Sequence, residues 1–296
     1  MNIYETVTEN IINAIEQGAG EFRMPWHRAS TANDLPSNAS TGVNYRGSNI
    51  LTLWAAGMGR GFVSNKWATY KQWAALGAQV QKGEKGTAAI FYSMTEFEDS
   101  KTGETKTAPF ARAFYVFNAD QVSGYTAEQT EPLLDKTQRI ARADEVIAAT
   151  GAQIEHGGSR AYYRPSTDTI QMPERAAFIG TDTSDPTECY YSTLVHELTH
   201  WTGHVSRLDR GFSNARRFGD EAYAAEELVA EMGAAFLCAQ LGITNEPRPD
   251  HAKYLTSWLK VLKADSRAIV RAASDAQKAA DFVLAKHKAD DVREAA

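Results

Sequence analysis

Two histidines four apart, with a glutamate beside the first, imply chemistry more directly than any other residues of this chain: His196-Glu197-Leu198-Thr199-His200. On an α-helix, positions i and i+4 share a face, so both imidazoles rise together and can grip one metal ion. Glu197 is turned roughly 100° from His196, which aims it at a water beside the metal and not at the metal itself. The chemistry this implies is metal-assisted hydrolysis. Zn2+ is the expected ion, with another divalent cation such as Mn2+ as the alternative, and Glu197 is the base that takes a proton from water and passes it to the leaving amine.

A catalytic zinc takes three protein ligands and keeps one position open. The longer pattern His-Glu-x-x-His-x-x-Gly-x-x-His would supply the third ligand nearby. Gly203 occupies its glycine position, but Ser206 stands where the third histidine belongs. His204, if the helix ran on, would lie about 12 Å along the axis from His196, too far for one ion, and suits a turn or a supporting role. The third ligand is therefore expected from a second helix containing Glu226-Glu227-Leu228-Val229-Ala230-Glu231. Acids embedded among small and apolar residues point inward. Glu227 is assigned as the ligand, with Glu226 as the alternative, and Glu231 as the carboxylate that holds a ligand imidazole in its tautomer.

These side chains need rigid elements behind them. The first helix carries readable ends: Asp185 as N-cap, Pro186 at the first helical position, Glu188 completing a capping box and Gly203 as a stop. Leu194, Val195, Leu198 and Trp201 give it an apolar side. The second is expected over Asp220 to Leu241, stopped by Gly242, with Ala230, Gly233 and Ala234 small enough for close approach. Upstream, Ala161 to Pro173 reads as a hairpin whose edge could align an extended peptide by strand addition. Thr137 to Thr150 reads as an amphipathic helix, and the Ala-rich tail from His251 to His287 as helical support.

Ahead of these lies a stretch of different character. Ile3 to Ile15 has helical periodicity, Ala29 to Tyr45 reads as a loop, and Thr41 to Gly47 as a turn with exposed side chains. Ser64 to Gly77 reads as a capped helix carrying Trp67 and Trp73 on different faces. Val80 to Tyr92 and Ala108 to Phe117 suggest strands around a charged loop near Glu96 to Lys106. A linker rich in Thr, Glu and Pro is expected between Val122 and Lys136. The architecture that follows is α+β with two domains, residues 1–125 and 136–296.

The net charge of −6 alone would argue against nucleic acid, yet its distribution is uneven. Phe22 to Met94 holds eight basic residues against two acids, a net +6, so the remainder carries −12. The same block holds Trp26, Tyr45, Trp54, Trp67, Tyr70, Trp73, Phe91 and Tyr92. Cations interleaved with aromatics suit single-strand recognition, in which rings stack on bases and Lys or Arg follow phosphates. The contacts expected are Trp26, Tyr45, Arg46, Asn49, Lys66, Trp67, Tyr70 and Lys71. Cys189 and Cys238 have no motif spacing and read as reduced core residues of a cytoplasmic protein. Neither a signal peptide nor a membrane span is expected.

With these residues in hand, the chain resembles the ArdC-type antirestriction proteins of conjugative plasmids. The likeness rests on Met24-Pro25-Trp26, Thr41-Gly42-Val43-Asn44-Tyr45-Arg46-Gly47-Ser48-Asn49, Lys66-Trp67-Ala68-Thr69-Tyr70-Lys71-Gln72 and Gly83-Glu84-Lys85-Gly86 in the first half. In the second it rests on His196 to His204, Arg207-Leu208-Asp209-Arg210 and Glu226 to Glu231. The resemblance implies an N-terminal domain that binds single-stranded DNA and a C-terminal zincin-like (gluzincin) metallopeptidase domain. It also implies protection of incoming plasmid DNA from host restriction during conjugation. The metal pair carries over to His196 and His200, the base to Glu197, and the third ligand to the Glu226-Glu227 doublet without choosing between them. The expected partners are single-stranded DNA and a host restriction component as protein substrate. The activity implied is that of a zinc-dependent metalloendopeptidase; the alternative is a DNA-binding shield whose zincin domain is structural or regulatory.

Overall fold

The computed structural model describes residues 3–18, 35–98, 105–126, 134–181, 184–211, 221–244 and 255–294. The first half begins with α1 (Ile3–Gly18) and contains α2 (Ser48–Arg60) and a four-stranded sheet. Its strands are β1 (Ser37–Asn38), β2 (Lys66–Ala68), β4 (Thr87–Glu98) and β5 (Thr105–Asn118), in the order β1-β2-β5-β4. β4 and β5 form a long antiparallel hairpin, and β1 joins β2 in parallel. A two-stranded sheet pairs β3 (Gln79–Val80) with β6 (Val122–Ser123).

Three expectations need correction here. Ser64 to Gly77 is not one helix: Trp67 and Ala68 pair with Phe117 and Asn118 of β5, and only then does α3 (Tyr70–Ala75) begin. Thr69 starts it through a reciprocal capping box with Gln72, and the ladder across β2 wins upstream of that cap. Val80 to Tyr92 is not one strand either: Val80 ends β3, and β4 starts only at Thr87. Strands β4 and β5 also run further into the charged hairpin tip than their apolar stretches imply.

The second half contains α4 (Lys136–Ala149), α5 (Pro186–Thr202), α6 (Glu221–Leu241), α7 (Leu255–Ala264) and α8 (Ala268–Glu294). Its sheet has the order β7-β9-β8, from β7 (Gln153–His156), β8 (Tyr162–Arg164) and β9 (Thr169–Met172). The hairpin forms as expected, but β9 lies inside the sheet, parallel to β7 and antiparallel to β8. A peptide added as a further strand would have to pair with β7 or β8. The helical tail is broken between Ala264 and Ala268, where Asp265 accepts from the Arg267 amide through its side chain at 2.8 Å. Residues 245–254, His251 among them, and Asp220 lie outside the described residues.

The two halves share one continuous core. Val7, Ile11, Ile50 and Trp54 cluster with Leu198, Phe236 and Ala276, and the rings of Trp54 and Phe236 lie 6.0 Å apart. Thr8 Oγ1 donates to the Ser266 carbonyl at 2.6 Å, tying α1 to the turn before α8. Among the described residues no helix is long and apolar enough to cross a membrane.

A polar strut fixes the β8–β9 turn to the end of α5. Asp168, in the left-handed region at φ 53°, accepts two bonds from Arg207 (2.5 and 2.9 Å) and one from the Tyr163 hydroxyl (2.8 Å). Arg207 lies 3.8 Å from the Trp201 ring centroid and donates to its carbonyl. The bonds from Arg207 dominate over partial burial and hold the Asp168 carboxyl below the usual range. A lowered folded-state pKa stabilises above the unfolded value and is lost as pH falls through the folded one. Asp168→Asn should therefore cost about 1 kcal/mol at neutral pH, a figure discounted for solvent screening. The difference from wild type should begin to shrink as pH falls below about 4 and disappear only below the lowered folded-state value, as measured by urea unfolding across pH.

Candidate metal centre

α5 forms where its local signals place it. Asp185 accepts from the Thr187 and Glu188 amides, Glu188 completes the capping box, and Pro186 opens the first turn. The helix presents His196 and His200 inward, with ring centroids 4.8 Å apart at 79°. α6 crosses it at close range, and Gly233 makes this possible: a Cβ there would lie 2.5 Å from Thr199 Cγ2.

The crossing brings Glu227 to the histidine pair. Its carboxylate oxygens lie 3.7 Å from His196 Nε2 and 3.6 Å from His200 Nε2. Potential ligand atoms of His196, His200 and Glu227 all lie within 4.8 Å of one another, and all three residues are buried. Ligands around one tetrahedral ion at zinc-like bond lengths sit about 3.3 Å apart, so the two Glu227 separations need only a small contraction. The charge fits as well. Glu197, Glu227 and Glu231 are all at least nine-tenths buried beside two imidazoles, a concentration of negative charge that a dication would neutralise.

The remaining ring nitrogens face carboxylates. His200 Nδ1 is 3.2 Å from Glu226 Oε1, and His196 Nδ1 is 3.8 Å from Glu231 Oε1. The bond at His200 favours a proton on its Nδ1 and leaves Nε2 with its lone pair toward Glu227. Burial works against charge on His200, but the bond to Glu226 and the fields of Glu227, Glu226 and Glu197 outweigh it and raise its pKa. Glu226 itself is held ionised. Burial alone would raise its pKa, but bonds from His200 and Arg210 lower it.

Arg210 is the residue that sequence reasoning did not assign, although its stretch was singled out. It donates to Glu226 through Nε (3.1 Å) and Nη2 (2.7 Å), and to Thr202 Oγ1 and the Thr199 carbonyl at the end of α5. It explains why the two adjacent acids part company: Glu226 is drawn to Arg210 while Glu227 faces both imidazoles. Replacing Arg210 with Met should weaken divalent-metal affinity about 10- to 100-fold in a chelator competition. His204 stays out of the cluster and bonds Ser206 Oγ at 2.8 Å.

The expected DNA contacts scatter. Trp26 lies outside the described residues. Trp67 is corrected to a core residue: it is 1% exposed and packs edge-on against Phe62, so neither ring face is open to a base. Asn49 is also corrected, because its amide bonds both the N–H and C=O of Ile90 at 2.8 Å. Tyr45 is partly buried beside Asn38, and Lys66 donates to Ser37 Oγ. Arg46 is exposed but pairs with Asp281 on α8. Tyr70 and Lys71 face solvent. Of the remaining aromatics in that block, Trp54 and Trp73 are buried, whereas Phe91 and Tyr92 are about half exposed.

Comparison with known proteins agrees with both halves. Residues 1–117 match the N-terminal domain of anti-restriction factor ArdC, and residues 141–275 match a zincin-like metallopeptidase domain. The chain is 47% identical over 292 residues to the uncharacterized protein y4eC of Sinorhizobium fredii, across 96% of this chain and 92% of that one. It is 41% identical over 304 residues to the DNA primase TraC of Escherichia coli, spanning 95% of this chain but 27% of the primase. Crystal structures of the antirestriction protein ArdC from plasmid R388 superpose with TM-scores of 0.78 (metal-free, 41% identical, 98% of this chain and 99% of that one) and 0.77 (Mn(II)-bound, 39% identical, 97% and 98%). A divalent metal is thus implied for the zincin-like half. By sequence, domain content and fold over nearly its whole length, the chain belongs to the ArdC antirestriction family.

Proposed function

We propose that this protein shields incoming plasmid DNA from host restriction during conjugation, binding single strands through its first half and hydrolysing a protein substrate in its second. The observation that carries the hydrolytic part is the convergence of His196, His200 and Glu227 beside a buried Glu197. A divalent cation, Zn2+ or Mn2+, would be held by those three side chains and would supply Lewis acidity toward a substrate carbonyl and water. Glu197, one residue from His196 and nearly excluded from solvent, takes the proton of the attacking water and returns it to the leaving amine. Glu226 and Glu231 keep the two imidazoles oriented, and Arg210 keeps Glu226 in place. A host restriction component is the substrate this reading favours.

For the first half, the family assignment and the basic, aromatic composition of residues 22–94 support binding of single-stranded DNA, with Tyr70 and Lys71 the exposed members of the expected set. The test is conjugation of an unmodified plasmid into a restricting recipient. The wild-type gene should raise transfer, and Glu197→Gln should abolish the gain. A gain that survives intact in Glu197→Gln would leave DNA coating as the whole function.

A further inference from the structure

Two exposed rings of the first half, Tyr92 and Phe110, lie at the seam with the second, away from the contacts expected from sequence. A surface cavity of about 400 Å³ lies there, lined by Tyr4, Tyr92 and Phe110 together with Arg267 and Arg271 of the second half. Tyr92 and Phe110 are 47% and 46% exposed. The only charged side chains among the lining residues are the two arginines. Arg267 lies 5.2 Å from the Tyr4 ring centroid, and Arg271 pairs with Asp265.

These rings are held in place. The Tyr92 hydroxyl lies beside Tyr4 and Ser48, and Tyr4 belongs to the helix that Thr8 ties to Ser266. Across the same seam the Gly47 amide donates to Gln277 of α8. Half-exposed rings with guanidinium groups beside them offer stacking faces and phosphate partners. An anionic chain with flat, apolar bases matches that combination.

We infer that single-stranded DNA crosses this seam, with bases stacking on Tyr92 and Phe110 and phosphates meeting Arg267 and Arg271. The inference rests on the proposed single-strand binding and adds that residues beyond the matched N-terminal domain take part. DNA bound there touches α8, which packs along the metal-bearing α6.

The test is fluorescence anisotropy of a labelled oligo-dT with the full chain over a range of salt. Phe110→Ala and the double variant Arg267→Ala/Arg271→Ala should each weaken binding at least tenfold. The double variant should also flatten the slope of log affinity against log salt by about 1.4, from two lost phosphate contacts. Arg142→Ala, an exposed charge removed elsewhere on α4, serves as control and should bind like wild type. Unfolding midpoints of all variants should match wild type, so that a loss reads as a lost contact; Tyr92→Phe, which keeps the ring, should retain affinity. If wild type binds and the seam variants bind equally well, this placement is wrong and single-strand binding stands. If wild type itself does not bind, or binds without salt dependence, both fall together.

Discussion

Glu197→Gln is expected to slow peptide hydrolysis by about 10²- to 10⁴-fold while leaving divalent-metal affinity and fold intact. The substitution preserves shape and removes the only function assigned to Glu197, acceptance of a proton. His196, His200 and Glu227 are the proposed ligands, so a chelator competition should give the same metal affinity for variant and wild type. A peptidase assay on purified protein, with the metal supplied in excess, reads the rate. Retained turnover would remove Glu197 from the reaction and leave the His-Glu-x-x-His segment as a metal clip.

The second large effect is steric. Gly233→Ala places a methyl group 2.5 Å from Thr199 Cγ2 and 2.9 Å from its Oγ1, closer than packed atoms allow. Thr199 cannot easily step aside, being fully buried with its hydroxyl bonded to the Val195 carbonyl at 2.8 Å. Relief requires α5 and α6 to separate, and that separation carries Glu227 away from both imidazoles. Unfolding free energy should fall by about 1–3 kcal/mol, and metal affinity by at least tenfold. Trimming the obstacle in Gly233→Ala/Thr199→Ala should restore much of the affinity. Affinity that stays low in the double variant would show that something other than this contact had been disturbed.

How far the site could be read from sequence follows from how local its causes are. The start of α5 is written in four consecutive residues, Asp185 to Glu188, and the structure uses Asp185, Pro186 and Glu188 as their types suggest. The small residues of α6 announce a close crossing, and Gly233 is where it happens. The choice between Glu226 and Glu227 could not be read in the same way. Both are adjacent acids on one helix, and what separates them is Arg210, whose guanidinium reaches Glu226 from a different segment. Trp67 and Tyr70 illustrate the same limit in the first half. Three residues apart in one basic, aromatic stretch, they have opposite fates because Trp67 pairs with Asn118 in a strand some fifty residues distant, while Tyr70 starts a helix on the surface. Residue type supplied the ingredients of single-strand binding; burial sorts them, leaving Tyr70, Phe91 and Tyr92 accessible.

The account depends most heavily on one cation held between α5 and α6. Crystals grown with Mn2+ or Zn2+, and measured at the absorption edge of the metal, test this directly. The predicted result is a single anomalous peak per chain, ligated by His196 Nε2, His200 Nε2 and the Glu227 carboxylate, with Glu226 remaining on Arg210. A peak elsewhere, no peak at millimolar metal, or ligation by Glu226 in place of Glu227 would contradict it.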